Sequence, residues 1–205
     1  FHGIPLDLVN EYWGYYTGMG MALQTISVTR NSQGKLMAAG SFQWGLSGGW
    51  YARFYMNAKS FQHYFDHYHK KGYRPRQINT TRDGSNKLRY SVIWEKNPSG
   101  ESYLCFFGRS DSNFNSLWNT YVKSKKFHLA EHNTYNIAGK RYHAGVFVKS
   151  KSNNGFYAYY GMSSSAFNQK FKDLSKQWQL TSLHVNGSKV GGVWRPKKQQ
   201  YAAYY

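Results

Sequence analysis

Histidine spacing is the first place where this chain could do chemistry. His63 and His67 are four residues apart with Asp66 between them and His69 close by, a pattern that can chelate Zn²⁺ or Cu²⁺ from one helix face. The same spacing also describes a solvated polar face, and that is the expectation here: no metal and no cofactor. Cys105, the single cysteine, becomes a nucleophile only if His132 or His143 approaches it. In an aromatic strand a lone cysteine is expected to be a small buried apolar group. Ser32-Gln33-Gly34-Lys35 has the Ser-x-x-Lys spacing of serine hydrolases, but Gly34 and its neighbours predict a turn rather than a helix start. Among the 9 acids, Glu95, Glu101 and Asp111 fall in separate loops and Asp7 and Glu11 on one helix. No pair is placed for two-carboxylate hydrolysis, and no Gly-rich phosphate loop is present. The sequence points away from catalysis.

Charge and aromatics point toward binding. The chain has 27 Lys and Arg against 9 Asp and Glu, a net charge of +18. Its field attracts polyanions over a Debye length of about 8 Å at physiological salt. The cations are spread along the chain, which suits a folded basic face better than a disordered arm. Lys35, Lys87 with Arg89, Lys140 with Arg141, and Lys189 recur at the starts of predicted strands. Aromatic residues make up 19% of the chain, with 19 tyrosines. Alternation in Trp50-Tyr51-Ala52-Arg53-Phe54-Tyr55 places Tyr51, Arg53 and Tyr55 on one face. Tyr103, Tyr157 and Tyr201 hold the matching places in three similar strands. Tyrosine faces beside cations suit sugar rings or bases. Arg109 could extend the face.

The elements that position these residues repeat. Val9, Tyr12, Trp13 and Tyr16 have the i, i+3, i+4, i+7 spacing of one helix face, and so do Phe61, Tyr64, Phe65 and Tyr68. Phe114, Leu117, Trp118 and Tyr121 form a third set, and Phe167, Lys170, Phe171 and Leu174 a fourth. The sets recur every 52 or 53 residues. Gly20 and Gly72 stand where helix C-caps need left-handed backbone. A strand follows with Ile26, Ile78, His132 or Leu183 at its inner position, and His132 breaks the apolar pattern. Turns such as Asn31-Ser32-Gln33-Gly34 and Asp83-Gly84-Ser85-Asn86 then reverse the chain. Each cassette is predicted as strand, helix, strand, strand. Approximate limits are 1–49, 50–101, 102–155 and 156–199, in one α+β domain covering 1–205. Residues 200–205, the aromatic strand Gln200 to Tyr205, are expected to complete the first repeat, closing the four pseudo-symmetric repeats into a ring or barrel-like assembly.

Gly161-Met162-Ser163, Phe167, Phe171, Leu174 and Trp178-Gln179-Leu180, with Gly72-Tyr73-Arg74 and Arg89-Tyr90-Ser91-Val92-Ile93-Trp94-Glu95, resemble the bacterial tandem repeat domain of about fifty residues. That family's copies carry Gly-Met-Ser/Thr, spaced helix aromatics, Gly-Tyr-Arg and Arg-Tyr-Ala-Ala-Ile-Trp-Glu. The resemblance spans the chain and is best in the second and fourth copies. The first has Gly20-Met21-Ala22 in place of Gly-Tyr-Arg, and the third has Lys126-Phe127-His128. In the family, such repeats often precede a β-lactamase-like serine hydrolase domain, as in the polyglycine hydrolases. The resemblance therefore implies a scaffold that accompanies hydrolysis, and no hydrolase domain is expected within these residues.

No apolar run is long enough to span a bilayer, and one cysteine gives no disulfide framework. A start at Phe1 rather than Met suggests a removed leader or a trimmed chain, so secretion is the expected localisation. Asn79-Thr80-Thr81 and Asn186-Gly187-Ser188 match the glycosylation pattern at chance frequency. Three functions fit. One is a secreted lectin-like or matrix-binding protein for an anionic polysaccharide or other polyanion. The others are a substrate-recognition module of a hydrolase system and a nucleic-acid-binding protein. The candidate ligand residues are Lys35, Arg53, Lys87, Arg89, Lys140, Arg141 and Lys189, with Tyr51, Tyr103, Tyr157, Tyr201 and His132.

Overall fold

A computed structural model describes residues 1–44, 48–149 and 155–197. The four helices are α1 (Val9–Gly18), α2 (Ala58–Lys70), α3 (Asp111–Leu117) and α4 (Ser164–Leu174). Asn57, Ser110 and Ser163 cap the last three, each accepting a bond from a first-turn amide; Leu8 gives α1 no side-chain cap. Gly20 and Gly72 take φ of +81° and +77° after the first two helices, as the C-cap pattern predicts. In the third copy a π-helical turn over Trp118–Ser124 extends the helix, and Lys126 adopts the left-handed conformation at φ +60°.

Each helix is followed by a hairpin: β2 (Ala22–Arg30) with β3 (Leu36–Gln43), β5 (Tyr73–Arg82) with β6 (Leu88–Lys96), β8 (His128–Ile137) with β9 (Lys140–Lys149), and β11 (Trp178–Asn186) with β12 (Lys189–Pro196). The strand preceding each helix adds to the far side of the return strand. These are β4 (Trp50–Met56), β7 (Ser102–Ser110) and β10 (Tyr157–Met162), giving the orders β4-β6-β5, β7-β9-β8 and β10-β12-β11. Strand, helix, strand, strand therefore describes these copies.

The first copy corrects one expectation. Its edge position is filled by the start of the chain: β1 (Ile4–Pro5) pairs with β3, and Phe1 exchanges backbone hydrogen bonds with Gly40. Gly3, at φ +62°, matches the positive-φ residues Tyr55, Gly108 and Gly161, each of which lies at the register shift of its edge strand. That bulge lets the strand turn into the helix, and it shows Phe1–Pro5 to be a shortened version of the same element. The strand expected over 200–205, with Tyr201, lies outside the described residues.

Closure into a barrel is also corrected: the four sheets stay separate. A helix packs between its own sheet and the next. Phe61 and Tyr68 of α2 join Ile78, Val92 and Trp94 of the second sheet to Ala144, Cys105 and Phe107 of the third. Val9 lies between the first sheet and Ala52 and Ile93 of the second, and Phe114 between the third sheet and Val193 of the fourth. The edge strands β2, β5, β8 and β11, which are the central strands of the whole assembly, sit side by side in that order, but β11 makes no comparable contact with β2. Two causes are visible. Neighbouring central strands are bridged by side chains in place of a backbone ladder: Gln77 and Asn79 accept from the amides of Ile26 and Val28 at 2.7 and 2.9 Å, and Thr80 donates to Asn133 at 2.6 Å. Among the described residues no further sheet packs on the fourth. Leu183 and Val185, equivalent to the buried Ile26 and Val28, are 53% and 63% exposed.

Candidate functional site

The four central strands surround one axis, with a cavity at each end. At the hairpin end, a space of about 620 Å³ is bordered by Thr29, Arg82, Asn136 and Asn186 from the four copies. At the other end, a space of about 650 Å³ is bordered by residues where the strands begin: Gln24, Arg76, Ala130 and Thr181. Those four occupy the register shifts of β2, β5, β8 and β11, so one bulge per strand turns a side chain toward this cavity. Glu131 borders both spaces.

The hairpin end carries Lys35, Lys87, Lys140 and Lys189, as the strand-entry pattern predicts. All four are exposed, and none has a carboxylate within salt-bridge distance among the described residues. They stand beside the four hairpin turns and do not line the cavity. The turns beneath them are braced locally. Asn31 accepts from the amides of Gln33 and Lys35 at 3.1 and 2.9 Å, and Asp83 accepts from those of Ser85 and Lys87, both at 2.9 Å. The Lys87 amide, then Arg89, holds the Asp83 carboxyl below its ordinary range. Ser32 and Lys35 thus belong to a hairpin turn.

The arginines predicted alongside the lysines have other work. Arg89 places two nitrogens on Asp83 Oδ2, at 3.0 and 2.6 Å, and lies over the Tyr55 ring. Arg141 grips Asp111 with a two-pronged pair at 2.9 and 2.7 Å and covers Tyr160. Arg53 is exposed and stacks on Tyr64. Tyr51 stacks on Tyr68 at 4.5 Å. Tyr103 shares a hydrogen bond with His69 at 2.7 Å, and burial raises its hydroxyl to about 12. Tyr157 is partly open, edge-on to Trp178 at 4.6 Å. The structure therefore scatters the tyrosines between repeats and leaves the lysines together.

His132 sits in the interior, in a polar chain between the third and fourth sheets. His143 Nε2 donates to Asp111 at 2.6 Å, which leaves its Nδ1 to accept from His132 Nε2 at 2.9 Å. The His184 ring stands perpendicular to His132 with centroids 5.0 Å apart. Gly191 makes room for it, since a Cβ there would come within 2.3 Å of that ring. Burial lowers all three imidazoles, His184 to about 4 and His132 well below the usual value. Arg141, then His143, draws the Asp111 carboxyl down to about 2. Both His143 nitrogens are thereby committed away from Cys105, which burial raises to about 12. His63 and His67 lie stacked on the open face of α2, 6.4 Å apart.

At the opposite end of the axis the chemistry differs, and sequence reasoning did not single it out. Arg74, Arg76 and Arg195 converge with Glu95, His128 and Gln24. Arg74 contacts Glu95 at 2.7 Å and Glu101 at 3.6 Å; Arg76 lies 3.8 Å from Glu95 and bonds the Gln24 side chain and the Leu23 carbonyl. Arg74 Nε, Arg76 Nε, Gln24 Nε2 and His128 Nδ1 are buried without hydrogen-bond partners. The available signal was charge inside strands: Arg76 and Glu131 stand where other copies carry Gln, Ala, Thr or Ser.

Four helix-plus-sheet units around an axis define a tandem α+β repeat protein. The family model described as "Polyglycine hydrolase-like, structural repeat" matches residues 47–97, 102–150 and 153–203. The chain belongs to that family of structural repeats. No curated protein matches it. The first copy is unmatched, yet its sheet has the same strand order as the others. Among the described residues no helix is long and apolar enough to cross a membrane.

Proposed function

We propose that this chain is a secreted, non-catalytic binding protein for an anionic polymer such as an acidic or sulfated glycan. What supports the reading is the recurrence of Lys35, Lys87, Lys140 and Lys189 beside the four hairpin turns, all exposed and without a carboxylate partner among the described residues. Four turns on one scaffold present these charges at a fixed spacing, so weak contacts with successive charges of one polymer add. The net charge of +18 supplies long-range attraction. The test is binding of heparin, single-stranded DNA and a neutral polysaccharide across a salt series. Replacing the four lysines with Gln is expected to weaken heparin binding at least ten-fold and flatten its salt dependence. Equal losses for DNA and heparin would reduce the site to unspecific attraction, and unchanged heparin binding would remove the lysine end from the reading.

The family description favours a second reading, a substrate-recognition module in a hydrolase system. Salt-resistant binding of a glycine-rich peptide would support it over the first.

A further inference from the structure

We infer that the cavity at the arginine end of the axis is a separate binding site for a ligand carrying one carboxylate on a polyhydroxylated body, the chemistry of an acidic sugar residue. Arg74, Arg76 and Arg195 border a space of about 650 Å³ together with Glu95. That single carboxylate is shared by Arg74 and Arg76, at 2.7 and 3.8 Å. Arg195 has no carboxylate partner among the described residues: its NH2 donates to the Leu129 carbonyl at 3.0 Å, and its guanidinium is held over the Phe156 ring. Burial, then the neighbouring Arg74, pulls the Arg195 guanidinium down to about 10. An incoming carboxylate would relieve both costs.

Hydrogen-bonding capacity points the same way. His128, at 9% exposure, keeps an unpartnered Nδ1, and the Nε2 of Gln24 and the Nε atoms of Arg74 and Arg76, all residues that border this cavity, are likewise buried without partners. Buried polar groups without partners are costly, and a ligand that draws the Arg74, Arg76 or Gln24 side chain toward it would relieve part of that cost. The Thr25 and Ser41 hydroxyls, 2.8 Å apart on the open side, and Ser182 add groups that both donate and accept. Such a set matches ring hydroxyls. Glu95 faces the same space and penalises a second negative charge, which argues for a monocarboxylate over phosphate. The groups come from all four repeats, so only the assembled axis forms the site.

Calorimetric titration with D-glucuronate, D-glucose and inorganic phosphate tests this assignment. Glucuronate is expected to bind at least ten-fold more tightly than either control. Arg195→Gln is expected to weaken glucuronate at least ten-fold, and Thr25→Trp, an exposed position at the rim, to block it while the melting temperature stays unchanged. No glucuronate binding at tens of millimolar overturns the site. Glucose binding as tightly overturns the role of the carboxylate, and phosphate binding as tightly overturns the acidic-sugar class. The variant lacking the four hairpin lysines is expected to keep glucuronate binding, so this inference and the polymer reading stand or fall separately.

Discussion

The two ends of the axis are made from the same four strands and solve opposite problems. At the hairpin end, the lysines stand in solvent and the turns beneath them are braced by Asn136 with Asn186, Thr80 with Asn133, and turn amides with Asn31 or Asp83, while Arg82 and His184 keep buried nitrogens without partners. At the other end, cations are partly buried, crowd one carboxylate, and leave donors unmatched. The exposed lysines cost little to place and offer only charge. The arginine end carries a desolvation cost that a specific ligand can offset. Exposed charge at repeated positions marks where a polymer can be attracted, and buried charge at positions unique to one copy marks where a shape can be recognised.

Four substitutions probe that contrast, beyond the binding tests above. The largest effect is expected from Arg76→Met, which strands the Gln24 side chain, the Leu23 carbonyl and Glu95. It should cost about 2–4 kcal/mol and lower the melting temperature by 5 °C or more on the order of a protein this size. Lys87→Met at the hairpin end should cost less than about 0.5 kcal/mol. Equal costs in denaturant unfolding would erase the distinction between the ends.

Next is Glu131, which lies between the two cavities and whose carboxyl burial raises to about 8. Its folded value is above the unfolded one, so its contribution is complete at acid pH and is lost as pH rises through about 8. Glu131→Gln should therefore be nearly neutral at pH 4 and stabilise by about 1–3 kcal/mol at pH 8. A variant whose stability difference does not change with pH would show that Glu131 is ionised in the folded protein.

The smaller of the two stabilisations concerns Lys126, which holds a left-handed conformation where Gly20 and Gly72 stand in the first two copies. Lys126→Gly should stabilise by about 0.5–1 kcal/mol without altering either end. A loss of stability would mean that the Lys126 side chain has a packing role that outweighs its backbone strain.

Helices, hairpins and their four-fold recurrence were legible because each depends on local periodicity: Phe61, Tyr64, Phe65 and Tyr68 mark one helix face, and Asp83-Gly84-Ser85-Asn86 marks one turn. The first edge strand escaped because Ile4–Pro5 is too short to show alternation, and only Gly3 in the αL conformation ties it to Tyr55, Gly108 and Gly161. The lysine end was visible because Lys35, Lys87, Lys140 and Lys189 occupy matching places. Arg89 and Arg141 matched that pattern too, but their partners, Asp83 and Asp111, lie 6 and 30 residues away, and only the folded chain shows which arginine is engaged. The arginine end was hidden for a stronger reason. Arg74 and His128 share one place in the repeat but differ in residue type, and Gln24 and Arg195 stand at two other places, so no periodic pattern of like residues could gather them.

The side-chain bridges between neighbouring central strands carry a consequence for how such a chain can evolve. A backbone ladder accepts any sequence, whereas Gln77 and Asn79 against Ile26 and Val28, or Thr80 against Asn133, accept only a matching neighbour. Each boundary is keyed to the pair of copies that meets there. Duplication can lengthen such an array, but a copy moved to a new place in the order meets the wrong lock, and the order of the repeats becomes part of the inheritance along with the repeats themselves.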